Sequence, residues 1–238
     1  MAAASLNPAR PYHHGGLYET LVEVGVALGQ AGGPEAITIR EAARQANVSA
    51  NAAYRHFADL QDLKAEVARR ARQRLASDMQ QELAALPYQS SPQVRARAQL
   101  TATGRGYIRF ALGSPHLFRC AWAVCAGPDP APSAWSLLQT ALQACTEAGL
   151  LHPNDAQAAA IAAWSLVHGY AEIALRGLLG PLDGNALDDL ASQVLDRFVT
   201  GVQPPPPTAP RPPSQAPRTA PRTQANQRNP ARKRVSLG

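Results

Sequence analysis

The chain has 238 residues, 45% of them hydrophobic, enough for one large domain or two modest ones with a buried core. Aromatic residues make up only 5%, and alanine and leucine outweigh β-branched and aromatic runs, which argues against a sheet protein and for an all-α fold. The net charge of +6 is unevenly spread: residues 203–238 carry seven bases and no acid, while 16 bases face 17 acids before them, so the basicity belongs to the tail.

Three cysteines, Cys120, Cys125 and Cys145, are an odd number without CxxC spacing, which excludes a complete disulfide framework and fits a reducing cytosol. The first eleven residues lack the apolar stretch of a signal peptide. The longest apolar stretch, around 158–171, contains His168 and is short for a bilayer. The expectation is a soluble, cytoplasmic protein with no membrane partner and no cofactor.

In chain order, Leu17, Leu21, Val24 and Leu28 predict a helix over 16–31, stopped by Gly32-Gly33-Pro34. A short helix is expected over about 39–46, with Thr38 as N-cap and Glu41 three residues later in a capping-box pattern. Asn47 stands where the chain must turn, and asparagine tolerates the left-handed conformation. Ser49 caps a further short helix, about 50–57, and Asp59 a long one, about 60–85. The long helix has an apolar stripe of Leu60, Leu63, Val67, Ala71, Leu75, Met79 and Leu83.

Beyond Pro87, helices are expected near 92–112, 115–125, 133–149, 154–180 and 186–201. The breaks fall at Gly113-Ser114-Pro115, Gly127-Pro128-Asp129-Pro130, Gly149 with Pro153, and Gly180-Pro181. The stretch 154–180 is apolar on nearly every face, which predicts burial on all sides or a subunit interface. From Gln203 onward, ten of 36 residues are proline and no apolar periodicity remains, so this tail is expected to be disordered. It either adds sequence-independent DNA affinity by counterion release or serves solubility.

The segment Thr38–Phe57, TIREAARQANVSANAAYRHF, sets two short helices about a tight turn. Ala43 is small where the helices cross, and Val48 and Ala53 can fill the space beneath them. This is the helix-turn-helix pattern, whose second helix enters the major groove. The stretch Tyr12–Leu75 resembles the DNA-binding domain of TetR/AcrR-type regulators, in the Thr38-Ile39 opening, Ala43, Val48-Ser49, Tyr54-Arg55-His56-Phe57, Asp59 and Leu63. Tyr12-His13-His14-Gly15, Gly104–Trp122 and Trp164-Ser165-Leu166-Val167-His168-Gly169 resemble a subgroup with a Trp-x-x-x-His-Gly segment in its C-terminal domain.

The resemblance implies an arm (1–14), a three-helix DNA-binding domain (15–75) whose fourth helix runs on to about 85, a C-terminal effector-binding and dimerisation domain (86–202), and the tail (203–238). About nine helices follow. It implies a homodimer on a roughly palindromic DNA operator, released by a small-molecule effector, as a repressor or, alternatively, an activator. Thr38, Ser49, Tyr54 and His56 match backbone-contacting positions, Ala50, Asn51 and Tyr54 face base edges, and Arg40 is a further DNA-binding candidate. The chemistry suits these places: hydroxyls serve phosphate oxygens, Asn51 can pair with adenine, and Arg55 can reach guanine or phosphate. Leu60 stands where many members have a backbone-contacting lysine, and Lys64, one turn on, is the substitute. Phe118, Trp122, Trp164 and His168 are expected at the effector pocket, with Trp135, Cys120 and Cys125 as further lining candidates. Leu166, Gly169, Ile173 and Leu195 are expected at the dimer interface.

An enzyme using a Cys/His site is the competing class. Cys120, Cys125, Cys145, His116, His152 and His168 supply the residue types, but none lies in a recognisable nucleophile motif. Paired carboxylates and a glycine-rich phosphate loop are missing too. His13-His14 do not make a metal site.

Overall fold

The structure, a computed structural model, describes residues 14–124, 127 and 132–201. The residues before His14, Cys125 and the tail 203–238 lie outside the described residues, so the expectations for arm, tail and Cys125 go no further. Among the described residues there are nine α-helices and no strand. They are α1 (His14–Gly32), α2 (Ile39–Gln45), α3 (Ala50–Ala53), α4 (Leu60–Ala84), α5 (Pro92–Gly113), α6 (Pro115–Trp122), α7 (Ala134–Glu147), α8 (Ala156–Leu175) and α9 (Gly184–Gly201). A single 3₁₀ turn, Pro153–Asp155, leads into α8.

Three helices end earlier than their composition suggests, among them α6, which stops at Trp122 short of the expected 125. The α3 helix stops at Ala53, and Tyr54–His56 continue as turns that still bond back to Ala50, Ala52 and Ala53. The α8 helix stops at Leu175 because Gly177 takes φ +69° and lets the chain turn.

The α4 helix is the spine. Its stripe of Leu63, Val67, Ala71, Leu75 and Met79 is fully buried, and it packs on α1, α5 and α6. Two glycines allow the closest crossings. A Cβ on Gly25 of α1 would stand 2.8 Å from Val67, and one on Gly106 of α5 would stand 2.6 Å from the Cα of Met79. The second contact is with backbone, so α4 and α5 can lie this close only if residue 106 has no side chain. Buried residues of α1–α4 run without a break into those of α5–α9, including Phe110, Phe118, Val167 and Leu195.

Pro153–Leu175 is long and apolar enough, by length and composition, to cross a membrane. Only one face of it is buried in the protomer, through Ala159, Ala160, Ala163, Val167, Tyr170 and Ala171. Burial on every side, one of the two outcomes its composition allows, is not what the protomer shows: Ile161 and Ile173 are 56% and 43% exposed. The α8 helix therefore keeps an apolar outer face.

Candidate nucleic-acid interface and effector cavity

The turn between α2 and α3 is built by local hydrogen bonds. Thr38 caps α2 by accepting from the Glu41 amide at 3.1 Å. The expected reciprocal bond is replaced: Glu41 accepts from Arg44 and Gln45 instead. Those bonds lower the Glu41 carboxyl to about 2. Asn47 takes φ +56°, while the Val48 amide bonds to the Ala43 carbonyl and the Asn47 amide to Arg44. These are the two closing bonds of a Schellman turn. Ser49 then caps α3 by accepting from the Ala52 amide at 3.1 Å.

This frame divides the segment into two sides. Ala42, Ala43, Ala53 and Phe57 are buried. Thr38, Arg40, Ser49, Asn51, Tyr54 and Arg55 are exposed, and Ala50, His56 and Lys64 are half-buried. Tyr54, 52% exposed, contrasts with Phe57 at 3%. The Phe57 ring stacks on Tyr18 of α1, centroids 5.1 Å apart, and His56 lies 6.5 Å from the same ring. Burial works against the charged form of Glu66, but hydrogen bonds from Arg69 and Arg70 outweigh it and hold the carboxyl low. Arg70 also pairs with Glu19, which fastens α1 to α4. Lys64 sits on the second turn of α4, near enough to α6 for its charge to act on Cys120.

The C-terminal candidates converge. Phe118, Trp122, Trp164 and His168 form one aromatic cluster, in which Trp122 lies 5.7 Å from Trp164 and 5.8 Å from His168. Trp135 joins at 5.5 Å from Trp164, and Phe118 lies 5.6 Å from His168. Tyr107, which the sequence reading did not single out, is at its centre, with its hydroxyl 2.8 Å from His168 Nδ1. Burial, and then the charge of Glu172, raises the Tyr107 phenol above its ordinary value. An apolar cavity of about 20 Å³ lies beside this cluster, lined by Tyr107 and Trp164 among others. Phe118, Trp122 and His168 stand behind these rings and do not line it. Leu195, expected at the dimer interface, faces inward as a cavity wall. Leu166, on the outward side of α8, is half-buried, and it too reaches the cavity wall.

The α6 helix touches both sites. Phe118 and Trp122 point into the aromatic cluster. Arg119 pairs with Glu35 at 2.8 Å, and His116 Nδ1 donates to the Ala31 carbonyl at 3.0 Å. Cys120 packs so close to Gly29 that a Cβ there would be 2.9 Å from its sulfur. Burial pushes the Cys120 thiol up to about 11 and also raises Cys145. Both are therefore protonated, packing thiols rather than poised nucleophiles.

Residues 100–198 match a family model described as the tetracyclin repressor-like C-terminal domain. That span follows a helix-turn-helix with both caps in place. The C-terminal half is thus similar to TetR-type regulators, and the helical fold as a whole is the TetR-type fold.

Solved structures agree with this TetR-family fold. A Rhodococcus protein of unknown function is 26% identical, covering 82% of this chain and 100% of its own, with a TM-score of 0.67. The Bacillus subtilis transcriptional regulator FadR, solved with stearoyl-CoA, is 13% identical over 78% of this chain and 100% of its own, with a TM-score of 0.56. An Acinetobacter baumannii TetR variant, solved with minocycline, is 20% identical over 77% of this chain and 91% of its own, with a TM-score of 0.55. No curated protein sequence matches the chain.

Proposed function

We propose that this chain is a TetR-family regulator, a homodimeric, intracellular repressor that binds a roughly palindromic operator and leaves it when a small molecule occupies the C-terminal domain. The observation that carries this reading is the exposed row Thr38, Arg40, Ser49, Asn51, Tyr54 and Arg55 on a rigidly capped turn. A tyrosine ring left half in water beside hydroxyl, amide and guanidinium groups suits phosphate and base-edge contact. Ala50, His56 and Lys64 complete the contact set in this reading.

Pairing is assigned to the outer face of α8, where Ile161 and Ile173 flank Leu166 and Gly169. Leu195 is not part of that surface, because its side chain is taken up inside the protomer. A bare apolar stripe of this kind is stabilised by a matching copy across a two-fold axis. Two subunits so joined set two α3 helices toward successive major grooves, with half-sites about 34 Å apart.

The α6 helix supplies the coupling. A ligand that spreads the aromatic cluster displaces Phe118 and Trp122, and through Arg119 and His116 shifts the loop before α2. The ligand need only prefer that arrangement, and a preference of ~10⁴ moves the equilibrium fully. Two fold neighbours solved with small molecules support the reading that this architecture accommodates one.

Footprinting of the purified protein on DNA upstream of its own gene tests the proposal. Two protected half-sites about one helical turn apart, appearing with a dimer by sedimentation, are the expected result. A monomer that protects a single short segment contradicts it.

A further inference from the structure

The α3 helix, four residues long, cannot hold its own direction. So short a helix has little stability by itself, and Tyr54–His56 continue it only as turns. The Ser49 cap fixes the front of this segment. Its rear rests on rings. Phe57, 3% exposed, stacks on Tyr18 of α1, with centroids 5.1 Å apart and planes 20° apart. His56 lies against the same Tyr18 ring at 6.5 Å. Two flat faces in near-parallel contact resist rotation in a way that a round aliphatic side chain does not. Because Phe57 is held inward, Tyr54 and Arg55 just before it are held outward, and both are exposed.

The Tyr18 ring is held in turn from α4. Burial, then the charge of Glu66 and a hydrogen bond to it, raise the Tyr18 phenol above its ordinary value. Burial opposes the charge of Glu66 as well, yet hydrogen bonds from Arg69 at 2.9 Å and Arg70 at 3.2 Å keep its carboxyl low. A carboxylate has no proton to give, so the phenol donates and Glu66 accepts. Arg70 also bonds to Glu19, the residue after Tyr18 on α1. One network of charges thus closes α1 on α4 beside the ring that carries Phe57.

We propose that Tyr18 is a positioning residue: it aims the Tyr54–Phe57 turn through the stacked Phe57 ring, and its hydroxyl, anchored on Glu66, sets that ring. The use of this turn in DNA contact rests on the reading above; the aiming itself does not. A leucine at position 18 fills the space without offering a flat face. A phenylalanine keeps the face and loses the anchor.

Hydrogen exchange and DNA affinity, both measured on the full-length protein, test this. In Tyr18→Leu the amides of Tyr54, His56 and Phe57, which bond to Ala50 and Ala53, are expected to exchange about tenfold faster. The Ala46 and Val48 amides of the preceding turn, bonded to Ala42 and Ala43, keep their rates. Fluorescent duplex from upstream of the gene is expected to bind Tyr18→Leu about tenfold more weakly, and nonspecific competitor DNA equally well. Tyr18→Phe is expected to lose only about threefold, the modest end of one hydrogen bond. Glu66→Gln should give that same loss, with no further loss in the double variant. A residue that merely fills the core would, when replaced, speed exchange throughout α1–α4 and weaken both kinds of DNA binding together. That result overturns the proposal, as does unchanged exchange at 54–57 or full specific affinity in Tyr18→Leu. If Tyr18→Leu does not fold, Tyr18→Phe decides, and wild-type exchange and affinity in it overturn the proposal. Faster exchange confined to 54–57, in a protein whose wild type holds no duplex specifically, sinks the DNA reading and leaves the aiming role standing.

Discussion

The helix-turn-helix and the C-terminal domain are both helical, but different interactions hold them. The first is fixed by neighbours in sequence: Thr38, Asn47, Ser49 and Asp59 each settle a helix end within a few residues. The second is fixed by distant partners: Gly106 against Met79, Gly104 against Leu195, and Tyr107 against His168. The first keeps its polar side toward water on a rigid frame, which suits reading a fixed target. The second turns its few polar groups inward around a nearly filled cavity, which suits answering a ligand. Between them, α6 belongs to both.

That contrast can be broken at graded cost. The largest effect is expected at a long-range glycine. Gly106→Ala puts a Cβ against the Met79 backbone, which cannot swing aside, and should destabilise by about 1–3 kcal/mol in chemical denaturation. Ser49→Ala removes the α3 cap and should cost about 1 kcal/mol. Gly16→Ala, in α1 with nothing near its Cβ, should instead stabilise by about 0.5–1 kcal/mol. Equal costs at Gly106 and Gly16 would contradict the packing account.

The smallest effect is a pH effect. The folded Glu41 carboxyl lies near 2, below its ordinary 4.5. Its bonds to Arg44 and Gln45 therefore help above pH 4.5, and that help is lost as pH falls toward 2. Because the pair is fully exposed, the expected change is a slight loss of helical signal over that window, abolished in Glu41→Gln.

The same contrast explains what was legible in the sequence. Thr38, Asn47, Ser49 and Asp59 announce their roles within a few residues, and the α4 stripe from Leu63 to Met79 shows in its 3.6-residue period. The early end of α3 was not legible, because Tyr54-Arg55-His56 carries no breaker and the turn depends on Phe57 reaching Tyr18. Leu195 looks like any other apolar residue on a C-terminal helix. Only its fit over Gly104, 91 positions earlier, assigns it to the interior. Tyr107 was missed for the same reason: its partner His168 lies 61 residues away. The aromatic candidates Phe118, Trp122, Trp164 and His168 were legible as residue types, but not their division into cavity wall and backing.

The central claim is that the exposed row on the helix-turn-helix reads DNA. Binding of the purified protein to fluorescent duplex from its upstream region, at several salt concentrations with nonspecific competitor, tests it most directly when Tyr54→Ala is measured in parallel. The account predicts saturable binding that survives competitor and weakens by about tenfold or more in the variant, at unchanged stability. Binding that is lost to competitor, or that the variant retains in full, would contradict it.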